Sequence, residues 1–161
     1  MPITKLQQFL DEHNILYTRI SHSLAYTSQG IAALAHIPGR ELAKTVVVKI
    51  DGKMAMAVLP ASAHVDLIRM RDAVRANAVE LATEAEFKDR FPDCETGAMP
   101  PFGNLYDLPV FVDDSLTRDK EIVFNACSHR ELIRMAYADF EGLVKPNVLS
   151  FVRAKAAASA A

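Results

Sequence analysis

Hydrophobic positions at the start of the chain recur at helical spacing. Leu6, Phe9 and Leu10 share one side of a helix that Thr4 can cap and that reaches about His13. From Ile15 to Ile20 the pattern changes to alternation, the period of a short strand. A second helix is predicted from a Thr27 or Ser28 cap to about His36, closed by Pro38-Gly39. Glu41 to Ile50, ELAKTVVVKI, then reads as a buried strand, β-branched and free of Gly and Pro. Alternation places Leu42, Lys44, Val46, Val48 and Ile50 on one face and Ala43, Thr45, Val47 and Lys49 on the other. Lys44 is the one charge on the more apolar face. It either reaches solvent along its stem, finds a carboxylate, or lines a cavity. The first is the ordinary outcome, and the third lowers its pKa and points to function.

Asp51-Gly52 is a hairpin signal leading into a second strand, Lys53 to Leu59, ended by Pro60. Val65 to Ala73 reads as a helix, Ala78 to Leu81 as a weak strand, and Thr83 can cap a helix to about Arg90. Phe91 to Leu108 is rich in proline and glycine, the composition of a long ordered loop. Pro109 to Val112 and Glu121 to Asn125 read as strands. His129 to Met135 is ambiguous between helix and strand, and Ala138 to Val144 reads as a helix before Pro146. Strands and helices interspersed in this way, with at least one antiparallel hairpin, predict an α+β domain. Its sheet would be mixed, mostly antiparallel and partly barrel-like, with helices outside. The domain is expected over residues 1–153, with 154–161 a low-complexity, frayed tail.

The chain has 161 residues, half of them hydrophobic, enough to bury a core without metals or disulfides. A formal net charge of −2 gives no global attraction to nucleic acid or to an anionic membrane, so any contact with a nucleic acid is local. Two cysteines, Cys94 and Cys127, without Cys-x-x-Cys spacing, suggest a reducing cytosol and no disulfide framework. Cys127 reads as a buried, inert thiol, because no basic activator adjoins it. The amphipathic N-terminus resembles neither a signal peptide nor a span, so a soluble, cytoplasmic protein is expected.

Gly97 to Gly103, GAMPPFG, is the second unusual stretch. Two prolines stiffen it, and the glycines permit positive φ and close approach. Free N–H groups of Gly97, Ala98 and Met99 could hold a carbonyl oxygen and stabilise an oxyanion; a rigid connector without chemistry is the plainer account. There is no G-x-S-x-G, Walker loop or dinucleotide fingerprint, and the five histidines show no zinc-ligand spacing with either cysteine. His22 and His129 are candidate pocket residues. Asp113-Asp114 caps or turns the chain by default, with recognition of a substrate amine the sharper alternative.

AKTVVVK, GAMPPFG, LPVFVDDSL and FNACSH, in this order, resemble the YbaK/prolyl-tRNA-synthetase-associated editing domain family over about residues 2 to 150. The resemblance implies a free-standing deacylase that hydrolyses mischarged tRNA in trans. Lys44 matches the family's lysine, and Gly97 matches the loop glycine whose amide faces the ester. Pro101 and Gly103 match the rest of that loop. His22, Tyr26 and Thr27 fall where members build a pocket wall, and Asp113 and His129 match recurrent polar positions. Two departures stand out: Gly30 follows Gln29 where members often have glutamate, and Cys127 stands where many have glycine.

On this reading Lys44 positions the ester, and the Gly97 and Ala98 amides form the oxyanion site. Met99 and Phe102 would line a pocket for a small side chain such as alanine or serine. Arg40, Lys49, Lys53, Arg69 and Arg71 would grip the tRNA acceptor end. An aminoacyl-tRNA synthetase is a further candidate partner, and no metal, cofactor or membrane is called for. The competing reading is a non-catalytic module of the same fold that binds an amino acid or a synthetase.

Overall fold

The computed structural model describes residues 4–21 and 42–153. Within them the order is α1 (Thr4–Glu12), β1 (Tyr17–Ser21), β2 (Leu42–Ile50), β3 (Lys53–Pro60), α2 (Leu67–Val74), β4 (Val79–Leu81) and α3 (Glu84–Phe87). A long loop with two short 3-10 turns then leads to β5 (Val110–Asp113), a third such turn to β6 (Glu121–Ser128), and then come β7 (Glu131–Ala136), α4 (Tyr137–Val144) and β8 (Asn147–Leu149). The fold is α+β, a single domain on one curled, half-barrel mixed sheet ordered β1-β7-β6-β2-β3-β5-β8, with β4 added against β2. The predicted second helix, the 154–161 tail, and His22, Tyr26, Thr27 and Arg40 lie outside the described residues.

Local chemistry sets the boundaries. Asp51 and Gly52 both take positive φ, as a two-residue hairpin turn requires, and β2 then pairs β3 antiparallel from Ala43↔Pro60 to Ile50↔Lys53. Asp66 caps α2 by accepting from the Arg69 N–H, and Thr83 with Glu86 forms a reciprocal capping box on α3. The stretch His129 to Met135 resolves as strand, because it returns antiparallel along β6 and its Leu132, Ile133 and Met135 are buried. β8 lies beyond the sequence-based assignments: three residues after a proline carry too little periodicity to read.

Both faces of the sheet are covered. The main core sets Ala43, Val47, Val58, Phe124 and Ile133 against Leu6 and Leu10 of α1, Phe140 of α4 and Phe102 of the loop. Phe102 is fully buried, with ring centroids 5.4 Å from Phe124 and 5.6 Å from Phe140. On the opposite face Val46, Val48, Ala57 and Leu59 pack beneath Met70 of α2 and Phe151, while Leu42 joins Val123 and Leu132. Lys44 belongs to this second face.

One irregularity positions the site. Along its whole length β2 keeps β3 on one edge, but its other edge changes partner. Leu42 and Ala43 pair parallel with Val123 and Phe124 of β6, whereas Val48 to Ile50 pair antiparallel with β4. Between these ladders β2 parts from β6, and Lys44 stands at the start of the parting.

Candidate active site at the parting of two strands

Lys44 lines a cavity of about 240 Å³ together with Val46, His64, Val65, Leu67, Leu81 and Arg153. Val46 comes from β2 and Leu81 from β4, the strand that pairs with its far end. A bridge between Val65 and Val152 and the Arg153 N–H to His64 carbonyl bond hold the far wall. The lining offers three basic side chains and no carboxylate. Lys44 makes no hydrogen bond or ion pair among the described residues, and burial alone pushes its ammonium pKa down. An unpaired, half-buried cation costs stability, so its position is a functional signal. The strand pattern supplies the face and leaves the cavity as one of three outcomes. His64 and Arg153 escape sequence reasoning, since each is unremarkable locally and they meet only through the Val65–Val152 bridge.

The GAMPPFG loop is fastened to the end of β6. Cys127 donates its N–H to the Ala98 carbonyl and accepts from the Glu95 N–H. His129 donates its backbone N–H to Glu95 Oε1 at 2.7 Å and its Nε2–H to the Thr96 carbonyl at 2.8 Å. The His129 ring thus packs under Gly97, whose φ of +86° leaves its own N–H without an acceptor among the described residues. His129 shapes the loop that carries this amide.

Several expected roles are corrected. The Ala98 N–H already donates to the Glu95 carbonyl at 3.0 Å, closing a turn, so it is not a free oxyanion donor. Met99 and Phe102 are buried in the main core, on the sheet face opposite Lys44, and line no wall of its cavity. Pro101 is buried. Gly103 is required by packing, for a Cβ there would stand 2.3 Å from the Leu108 carbonyl oxygen. Asp113 is fully buried and accepts from the N–H and hydroxyl of Ser115 and from the Phe151 N–H, which leaves it unavailable to a substrate amine.

Among the basic candidates, Lys49 is tied to Glu86 at 2.6 Å, and that bond is the first cause holding the Glu86 carboxyl down at about 2. Arg69 donates to Ser150 and Arg71 pairs with Asp72, while Lys53 is exposed beside the hairpin turn.

Cys94 and Cys127 are joined in a disulfide, contrary to the reduced pair that spacing suggested. The pairing is tertiary: the Glu95–Cys127 and Cys127–Ala98 hydrogen bonds lay the two segments side by side. Cys127 has φ of +66° at the β6 bulge, the conformation that glycine adopts most easily. Asp93 and the two sulfurs form a cluster of metal-ligating types, but the disulfide occupies both sulfurs.

A family profile described as an aminoacyl-tRNA editing domain matches residues 22–143. Among curated proteins, the chain is 26% identical over 98 residues to a proline–tRNA ligase of Bacillus mycoides (strain KBAB4), covering 61% of this chain and 16% of the ligase. A proline–tRNA ligase of Bacillus cereus (strain G9842) is 22% identical over 127 residues, 79% of this chain and 22% of the ligase. The chain therefore spans about a fifth or less of these relatives. Among solved structures, one provisionally assigned as a trans-editing enzyme for prolyl tRNA synthetase superposes with a TM-score of 0.80 at 17% identity, covering 95% of this chain and 98% of the other. Another, provisionally assigned as a signal transduction protein from Marinobacter aquaeolei VT8, gives 0.75 at 18% identity, covering 97% of this chain and 32% of that one.

Proposed function

The chain belongs to the aminoacyl-tRNA editing domain family, and from that premise we propose that it is a free-standing deacylase, hydrolysing the ester of mischarged tRNA that carries a small amino acid. The observation that carries this reading is Lys44, an unpaired cation facing a cavity where two strands part. No partner among the described residues accounts for it, and an ester developing negative charge does.

In the proposed reaction water attacks the ester carbonyl carbon. Negative charge collects on the carbonyl oxygen, the bond to the ribose oxygen breaks, and that oxygen leaves with a proton. Lys44 supplies the positive field and orients the ester, and the Gly97 N–H is the loop donor available to the oxyanion. A lysine whose pKa is lowered by burial, in a cavity whose lining holds no carboxylate, suits electrostatic anchoring better than proton abstraction. A volume of about 240 Å³ lies below the usual range of roughly 300–1,000 Å³ for ligand pockets, which supports a small reacting end. Editing is needed there because one methylene separates amino acids by only about 1–3 kcal/mol at a synthetase. His64 and Arg153 join Arg69, Arg71 and Lys53 as groups that could meet acceptor-end phosphates, with Lys49 weakened for this by its Glu86 partner.

The test is deacylation of Ala-, Ser- and Cys-tRNA, beside a large-side-chain control, by wild type and Lys44→Ala. Hydrolysis of a small-side-chain substrate that is lost in a folded Lys44→Ala supports the reading. Hydrolysis of none, with an amino acid or a synthetase still bound, replaces it with the binding-module reading.

A further inference from the structure

An aminoacyl ester differs from other esters of the same ribose by its α-amine. Asp113, the acceptor the sequence offered for that amine, is already occupied by Ser115 and Phe151. Asn125 supplies another. It is 5% exposed, and its Oδ1 is buried without a hydrogen-bond partner. A buried carbonyl oxygen left unpaired costs about 1–3 kcal/mol, so its retention asks for a ligand.

The register places it. Leu42 pairs with Val123 and Ala43 with Phe124, so one step further along each strand, just past the end of this ladder, stand Lys44 and Asn125. Their other ladders give the same face. Lys44 lies opposite Leu59 and Asn125 opposite Leu132, both packed on the side away from the main core. Two residues beyond Asn125, Cys127 holds the Ala98 carbonyl and with it the Gly97 loop. No hydrogen bond joins Lys44 to Asn125; the lysine runs into the cavity beside Val46 and Leu81. The other orphaned donors on β7 and α4 have charged company, Arg134 Nε with Glu121 at 3.7 Å and the Tyr137 hydroxyl with Glu141.

We propose that Asn125 Oδ1 accepts a hydrogen bond from the substrate's α-amino group and so selects free aminoacyl esters over esters lacking the amine. This rests on the deacylase reading and deepens it. The amine donates an N–H whether or not it is protonated, so recognition does not require a second charge beside Lys44. Asn125 is a specificity-determining residue for the reaction, placed between the cation and the oxyanion loop.

The experiment is a cycle of two substrates and two enzymes. Ala-tRNA is compared with propionyl-tRNA, which lacks the amine and adds no bulk, using wild type and Asn125→Leu. Leucine keeps the branched outline of asparagine and removes the orphaned oxygen, so Tm should be unchanged or raised, whereas a purely structural asparagine would leave it lowered. Wild type should favour Ala-tRNA by about 10–100-fold in kcat/KM, as expected when a buried polar group loses its partner. In Asn125→Leu the ratio should fall by about 10-fold or more, towards that of the two esters' uncatalysed hydrolysis, with the loss confined to Ala-tRNA. An undiminished preference in Asn125→Leu, or none in wild type, overturns the proposal. The same pair of amide-linked, non-hydrolysable 3′-acylamino-adenosines is measured by calorimetry. If wild type hydrolyses neither these esters nor Ser- and Cys-tRNA, the deacylase reading fails, and these binding ratios still decide amine recognition alone.

Discussion

Replacing Gly97 by alanine separates backbone strain from catalysis. At φ of +86° an L-residue is disfavoured, by about 1–2 kcal/mol. Space is not the obstacle, because the added Cβ would meet His129 Cε1 at 3.5 Å, an ordinary contact. For a domain of this size the strain corresponds to a Tm lower by roughly 2–8 °C. Relief of the strain requires the peptide to rotate, and rotation turns the Gly97 N–H away from its present direction. Loss of one oxyanion donor costs about 10²–10³-fold in kcat. Gly52 supplies the control: its φ is +85°, a Cβ added there would meet nothing within 4 Å, and it sits in the β2–β3 turn away from the loop. Gly52→Ala should therefore lose a similar Tm and keep its kcat. The assay is single-turnover deacylation of whichever of Ala-, Ser- and Cys-tRNA the wild type cleaves fastest, with melting of all three proteins by circular dichroism. If Gly97→Ala keeps kcat within about 3-fold of Gly52→Ala while showing the same fall in Tm, the Gly97 amide is not an oxyanion donor.

Lys44→Met should abolish hydrolysis without lowering Tm near neutral pH, since it removes an unpaired, partly desolvated cation. The folded pKa of Lys44 lies below its ordinary 10.5, so the fold binds fewer protons than the unfolded chain between the two values. Its penalty is fully present below the folded pKa and fades as pH rises towards 10.5; the Tm advantage of Lys44→Met should shrink over that window, and a widening gap would contradict the sign. Reduction of the Cys94–Cys127 bond, which spans 33 residues, should cost on the order of 3–4 kcal/mol by loop-closure entropy, or roughly 6–16 °C in Tm. Calorimetry with and without reductant, alongside thiol titration of the denatured unreduced chain, checks this; two free thiols and an unmoved Tm would refute it.

Much of the framework is legible in one dimension because its signals are local. The capping residues Asp66 and Thr83, the Asp51-Gly52 turn and the alternation of β2 each act within a few residues, and the corresponding elements form where they predict. The same alternation puts Lys44 on a face with Leu42, Val46 and Val48, and that face is where it lies. Motif order is enough to point to the editing family, and Gly97 stands out as a loop glycine with a special φ.

Tertiary structure decided what depends on contacts between distant segments. Met99 and Phe102 neighbour Gly97 in sequence, yet burial of their apolar area draws them into the core on the far face of the sheet. Ala98 and Asp113 have the right groups for a site, but a turn and a cap already use them. Two cysteines without a recognisable spacing meet because backbone hydrogen bonds align their segments. His64 and Arg153 come together across a single bridge, and Asn125 stands beside Lys44 through a parallel register that no pattern in either strand specifies. The sequence by itself determined which strand carries the cation and which loop carries the amide, since periodicity and φ preference are properties of short segments. Which polar atoms among the described residues remain unpaired is decided only in three dimensions, because hydrogen-bond satisfaction is a property of the assembled fold.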